Sequence, residues 1–229
     1  MPIFISSPVR RSGTTLLQRL CSATGEAIIF GETAANDLAQ AGQLFQYKQQ
    51  MAPHHQQWRD QILERVVAGD VNHWIPDLLP RTDTYLDLHA GALKALCAGF
   101  AAAAQEYGRR EWGVKFPEWH PASLVFWQHF LPDAKVMYVV RDYEECLASA
   151  RKLDMIQTDQ DQALFHHNYH QHLALARQHL LPERTYFLDY AALCDARAPE
   201  ELRKIAAFLG LGELPESVLA VRVGDYPSS

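Results

Sequence analysis

Ile3-Phe4-Ile5-Ser6-Ser7-Pro8-Val9-Arg10-Arg11-Ser12-Gly13-Thr14-Thr15-Leu16-Leu17 opens the chain and decides how the rest is read. Ile3-Phe4-Ile5 is a short apolar run, suited to a strand covered on both faces. Leu16-Leu17-Gln18-Arg19-Leu20 begins a helix. Between them lies a polar loop. A loop that leads from a strand into a helix N-terminus turns backbone N–H groups toward one point and so makes an anion site. Against the phosphate-loop pattern GxxxxGK followed by Ser or Thr, Gly13 and Thr15 occupy the last Gly and the hydroxyl residue. Pro8 stands where the first Gly would be, and Thr14 replaces the lysine. That lysine reaches the β- and γ-phosphates of a nucleoside triphosphate, so its loss argues against an ATP or GTP hydrolase. Arg11 supplies positive charge from inside the loop instead. The plain alternative is a Ser/Gly/Thr turn that caps a helix.

Working outward, further short apolar runs alternate with helical spacing. Ala27-Ile28-Ile29-Phe30, Trp112-Gly113-Val114-Lys115, Lys135-Val136-Met137-Tyr138-Val139-Val140 and Thr185-Tyr186-Phe187-Leu188 are the expected strands. Helices are expected over 85–107, 121–130 with Pro at its first turn, 144–152, 159–181 and 199–209, the last capped by Gly210. The stretch Gln43 to Thr84 has weak periodicity and is expected to form short helices and loops that cover something. Alternating strands and helices imply an α/β fold: three α/β/α layers on a central parallel sheet, like that of P-loop NTPases. Ligands of such sheets bind at the carboxyl ends of the strands.

The 229 residues are 48% hydrophobic, enough for one sizeable core, and a single domain over 1–229 is expected. The net charge of −6 disfavours a general nucleic-acid binder, although one basic pocket remains compatible with it. Cys21, Cys97, Cys146 and Cys194 form no CxxC pair and read as free thiols of a reducing compartment. The N-terminus lacks a charged n-region and a long apolar run, so no signal peptide is expected. The longest apolar stretch, near Gly99 to Ala104, is too short to span a bilayer. A cytoplasmic protein without membrane or nucleic-acid partners is the expectation. His166 and His170 stand i, i+4 on a helix, but without a third ligand no metal site is expected.

A second motif follows the fourth strand: Arg141-Asp142-Tyr143-Glu144-Glu145-Cys146-Leu147-Ala148-Ser149. A guanidinium at a strand end offers a fork to phosphate, and a hydroxyl adds a neutral donor. Together the two motifs carry a resemblance. Arg11-Ser12-Gly13-Thr14-Thr15 resembles the 5′-phosphosulfate loop of sulfotransferases that use PAPS (3′-phosphoadenosine-5′-phosphosulfate). Arg141 and Ser149 match the family's two 3′-phosphate residues. The resemblance covers Ile3 to Glu32 and Gly113 to Leu211. It departs at Val9-Arg10, an insertion-like pair, at Tyr143, which replaces a proline, and at Ala191, which replaces an acid. Tyr190 keeps the family's aromatic. Arg222-Val223-Gly224-Asp225-Tyr226 resembles a remnant of the C-terminal cofactor loop.

The resemblance implies transfer of a sulfuryl group from PAPS to a hydroxyl or amine of an acceptor, giving PAP. The expected acceptor is a small molecule or a group bound to a carrier. Arg11, Ser12, Gly13, Thr14 and Thr15 would hold the phosphosulfate. Lys115 matches a lysine that contacts the transferred group in several branches. The offset of Glu32 from Arg11 resembles that of the catalytic glutamate of the tyrosylprotein branch. Other branches use a histidine where Pro117 stands, so Glu118 and His120 are nearby substitutes for the base. Two rivals stay open. A P-loop small-molecule kinase would need the missing lysine and Asp142 as a magnesium ligand. A non-catalytic nucleotide-binding module would need neither Glu32 nor Lys115.

Overall fold

The structure is a computed structural model that describes residues 1–221. Its elements run β1 (Pro2–Ser6), α1 (Thr14–Ala23), β2 (Ala27–Phe30), α2 (Glu32–Met51), α3 (Gln56–Val67), α4 (Thr82–Glu106), β3 (Glu111–Lys115), α5 (Pro121–Phe130), β4 (Lys135–Val140), α6 (Tyr143–Arg151), α7 (Asp159–His179), β5 (Thr185–Asp189) and α8 (Ala198–Leu209). The five expected strands form one sheet in the order β2-β3-β1-β4-β5, and every pairing is parallel. On one face Ile3, Ile5, Met137, Val139 and Leu188 bury against Leu17, Leu20 and Cys21 of α1 and Leu202, Ile205 and Leu209 of α8. On the other face Phe4 packs on Trp119 and on Trp127 of α5. The result is a three-layer α/β/α arrangement. Burial of Cys21 pushes its thiol up to about 12, as expected of an inert core thiol.

Local chemistry sets the helix starts. α5 opens on Pro121 with His120 as its N-cap, and α7 opens with a capping box between Thr158 and Asp161. α8 ends at Gly210, which takes a left-handed φ of 67°.

The strand order places the site. From β1 the chain lays β2 and β3 on one side and β4 and β5 on the other. The order reverses at β1, and at such a reversal a parallel sheet leaves a crevice beyond its carboxyl ends. The first loop, Lys115 and Arg141 all follow or end the three central strands there.

The described chain divides into two compact units, one of Met1–Asn36 with the chain from Ala101 onward, the other of Asp37–Phe100. The second unit is helical. In the stretch Gln43 to Thr84, α2 runs in from upstream and ends at Met51, the 12-residue α3 follows, and turns and irregular chain lead from Val67 to α4 at Thr82. Ala, Gln, Leu and Lys are good helix formers, and their propensity sustains α2 where its periodicity is weak. The apolar run Gly99 to Ala104 also proves to be part of something longer. It lies within the 25-residue α4, the one helix among the described residues that is long and apolar enough, by length and composition alone, to cross a membrane. The segment Arg222 to Tyr226 lies outside the described residues.

Candidate active site

The first loop is anchored from within. Val9 is fully buried among Cys146, Leu147, Phe165 and Tyr169. Its carbonyl accepts hydrogen bonds from Ser7 Oγ and Ser12 Oγ, each at 2.8 Å. The Pro8 carbonyl lies 3.0 Å from Nδ1 of the buried His172. Gly13 ends the loop at φ 101°, a left-handed conformation, and its carbonyl accepts from Leu16 N at 3.0 Å as α1 begins. A Cβ on Gly13 would fall 2.3 Å from a ring carbon of Tyr190, so glycine is required both by conformation and by contact. Thr14 is buried and Thr15 is exposed. The position of the missing lysine is therefore filled by a small buried side chain.

Arg11 is the hinge between the two motifs. It takes φ 68°, which is costly for a residue with a side chain. Its Nε donates to Ser149 Oγ at 3.1 Å. Its carbonyl accepts from Arg141 Nη1 at 3.0 Å. Arg141 also donates from Nε to Glu145 Oε2 at 2.8 Å, and its guanidinium carbon lies 4.7 Å from the centre of the Tyr190 ring. Arg11, Gly13, Arg141, Ser149 and Tyr190 thus come together from four parts of the chain. Asp142, the acid that a kinase would need, instead caps α6 by accepting from Glu145 N at 3.1 Å. Cys146 Sγ sits 3.5 Å from Ser12 Oγ, and burial pushes its thiol upward, so it stays a neutral neighbour of the loop.

On the β3 side, Lys115 is buried at the strand's end, level with Ile5 of β1. Its Nζ meets Glu32 Oε1 at 2.5 Å; the lysine side chain is 8% exposed and the glutamate 53%. Glu32 begins α2 just beyond β2. The two substitutes for a base are engaged elsewhere. Glu118, at a left-handed φ of 69°, accepts from Arg10 Nε at 2.8 Å and from Arg10 N at 3.2 Å. The Arg10 guanidinium is pushed up by its hydrogen bond and charge pairing with Glu118, with a further push from Glu32. His120 Nδ1 accepts from Ala122 N at 3.2 Å, and its ring stands edge-on to that of His172. His166 and His170 lie with ring centres 4.4 Å apart beside Tyr143. Among the described residues no three His, Cys, Asp or Glu side chains group as metal ligands.

Three contributors lie beyond the sequence reading. Glu145 had a signal, its i, i+4 spacing from Arg141. The Arg10–Glu118 pair and His172 under Pro8 had none, because 108 and 164 residues separate the partners.

Residues 2–216 match the profile described as the sulfotransferase family. Among solved structures, the chain is similar to the sulfotransferase domain from the Synechococcus PCC 7002 olefin synthase, at 20% identity and a TM-score of 0.54, over 98% of this chain and 78% of that one. It is also similar to the sulfotransferase domain from the curacin biosynthetic pathway, at 17% identity and a TM-score of 0.54, over 94% and 76%. No curated protein matches the chain.

Proposed function

The chain belongs to the sulfotransferase family, and from that premise we propose that it moves a sulfuryl group from PAPS to a hydroxyl or amine of a small or carrier-bound acceptor. The observation that carries the reading is the interlock at Arg11. Its carbonyl bonds to Arg141, and its guanidinium bonds to Ser149. The two motifs therefore form one continuous anion site with two centres, which suits a ligand with a phosphosulfate at one end and a 3′-phosphate at the other. Thr14, buried where a triphosphate-binding lysine would stand, supports the same choice over a kinase.

In this reading Arg11, Ser12, Gly13, Thr14 and Thr15 hold the phosphosulfate, Arg141 and Ser149 the 3′-phosphate, and Tyr190 flanks both. PAPS supplies the sulfuryl group, already activated by its bond to phosphate. Lys115 and Arg11 stabilise the negative charge that develops on the oxygens around sulfur. Glu32 takes the acceptor's proton as the new O–S or N–S bond forms and the S–O bond to phosphate breaks. The acceptor class fits the biosynthetic settings of the two neighbouring domains, an olefin synthase and the curacin pathway.

Thermal unfolding with PAP, ATP and Mg-ATP tests the donor. PAP at a hundred times its dissociation constant should add about 2.7 kcal/mol of stability. Stabilisation by Mg-ATP and not by PAP would overturn the proposal in favour of a kinase. Mass spectrometry of cell extract incubated with protein and PAPS, searched for an added SO₃, then tests transfer. Binding of PAP without any sulfated product would leave a nucleotide-binding module.

A further inference from the structure

We propose that Glu145 is a positioning residue that fixes the Arg141 guanidinium so that it distinguishes a 3′-phosphate from the same group at the neighbouring ribose hydroxyl. This rests on the reading above, in which Arg141 receives the 3′-phosphate.

Arginine carries five N–H donors in one rigid plane. In this structure Nε donates to Glu145 Oε2 at 2.8 Å and Nη1 donates to the Arg11 carbonyl at 3.0 Å. The plane also lies against the Tyr190 ring, with Cζ 4.7 Å from its centre. Two bonds and one stacking contact hold the fork, and the donors left over all sit on the two Nη atoms. A fork that can neither rotate nor slide presents one edge at one place. An unrestrained guanidinium would follow a phosphate to either hydroxyl, because its long stem carries several freely rotating bonds.

Glu145 is unusually suited to this role. It is the third residue of α6, a position from which a carboxylate can turn back over the start of its helix. The Asp142 cap fixes the Glu145 backbone by accepting its N–H at 3.1 Å. The side chain is thereby aimed one residue before the cap, at Arg141. Arg141 itself is tethered by its carbonyl, which accepts from Tyr169 OH at 2.7 Å. The Arg141 side chain is 23% exposed and that of Glu145 59%. Through-space attraction at such exposure is weak, so the contribution of Glu145 lies in geometry.

The test compares affinities for three probes: adenosine 3′,5′-bisphosphate, its 2′,5′ isomer and adenosine 5′-monophosphate. They are measured calorimetrically on the wild type, Glu145→Ala and Glu145→Gln. The wild type should prefer the 3′,5′ isomer. Glu145→Ala should lower that preference about fivefold, the upper end of what an exposed ion pair contributes, with monophosphate binding unchanged. Glu145→Gln should keep the preference, because its amide oxygen still accepts from Nε. A preference that survives in Glu145→Ala overturns the inference and leaves the donor reading standing. Loss in both variants also overturns it, since charge rather than orientation would then matter. A wild type that binds the bisphosphate no better than the monophosphate overturns both readings.

Discussion

The two sides of the crevice are built by opposite means. On the β4 side, Arg141 is held by Glu145, by the Arg11 carbonyl and by the Tyr190 ring. On the β3 side, Lys115 is buried, and among the described residues its ion pair is with Glu32. The first side is multiply restrained: three contacts fix one guanidinium, and each removes freedom that the others leave. The second rests on one ion pair between a buried cation and a half-exposed carboxylate. Several restraints at once suit a subsite that recognises a fixed anion. A single exchangeable partner suits a group that must serve changing charge during transfer, since only interactions stronger in the transition state raise the rate.

The largest effects are expected on the β3 side. Glu32→Gln should lower kcat by about 10² to 10⁴, and Lys115→Ala by about 10² to 10³, with PAP affinity retained in both. Because the two side chains are bonded to each other, the double variant should be no worse than the more damaged single one. Steady-state kinetics of the four proteins decide this. Additive losses would break the contrast, since Lys115 and Glu32 would then act independently. On the β4 side, Arg141→Ala should cost about 2 to 3 kcal/mol in PAP binding, read by titration calorimetry, and leave the monophosphate nearly unaffected. A kcat loss at constant PAP affinity would move Arg141 to the transfer side.

The smallest effect concerns the loop between them. Burial, above all, holds His172 below the ordinary histidine value of 6.5; the nearby His120 adds to this, and the Pro8 bond opposes it. The unfolded chain therefore takes up the proton first. The stabilising contribution of neutral His172 is complete above pH 6.5 and is lost as pH falls through the lower, folded-state value. Unfolding midpoints measured from neutral to mildly acidic pH should decline less in His172→Gln than in the wild type. Parallel curves would show that this ring does not sense pH.

The sheet was legible because its five strands are short apolar runs, and α5 was legible because Pro121 and Phe130 mark its ends. The length of α2 was not, because its apolar residues lack a clean period and only propensity sustains it to Met51. In the site, loop identity, Arg141 and Ser149 stand in local motifs that a reader can see. What holds them does not. Tyr190 against Gly13 and Arg10 against Glu118 are meetings of distant segments, made by the strand order and not by spacing. Glu118 illustrates the limit well: it reads as a spare base beside Pro117, yet in the fold it is bound to Arg10.

Val9 gives the loop a property beyond its chemistry. Its side chain is sealed in the cluster of α6 and α7 while the next residue, Arg10, reaches solvent. The loop is therefore packed like a piece of core by the chain itself. Most flexible loops surrender conformational entropy when they close on a ligand, on the order of 1 to 2 kcal/mol for each residue fixed. Here that loss belongs to folding of the chain, so under the proposed function association would proceed against a loop that is already ordered. Removing Val9-Arg10 to shorten the loop would transfer that entropy loss from folding to recognition.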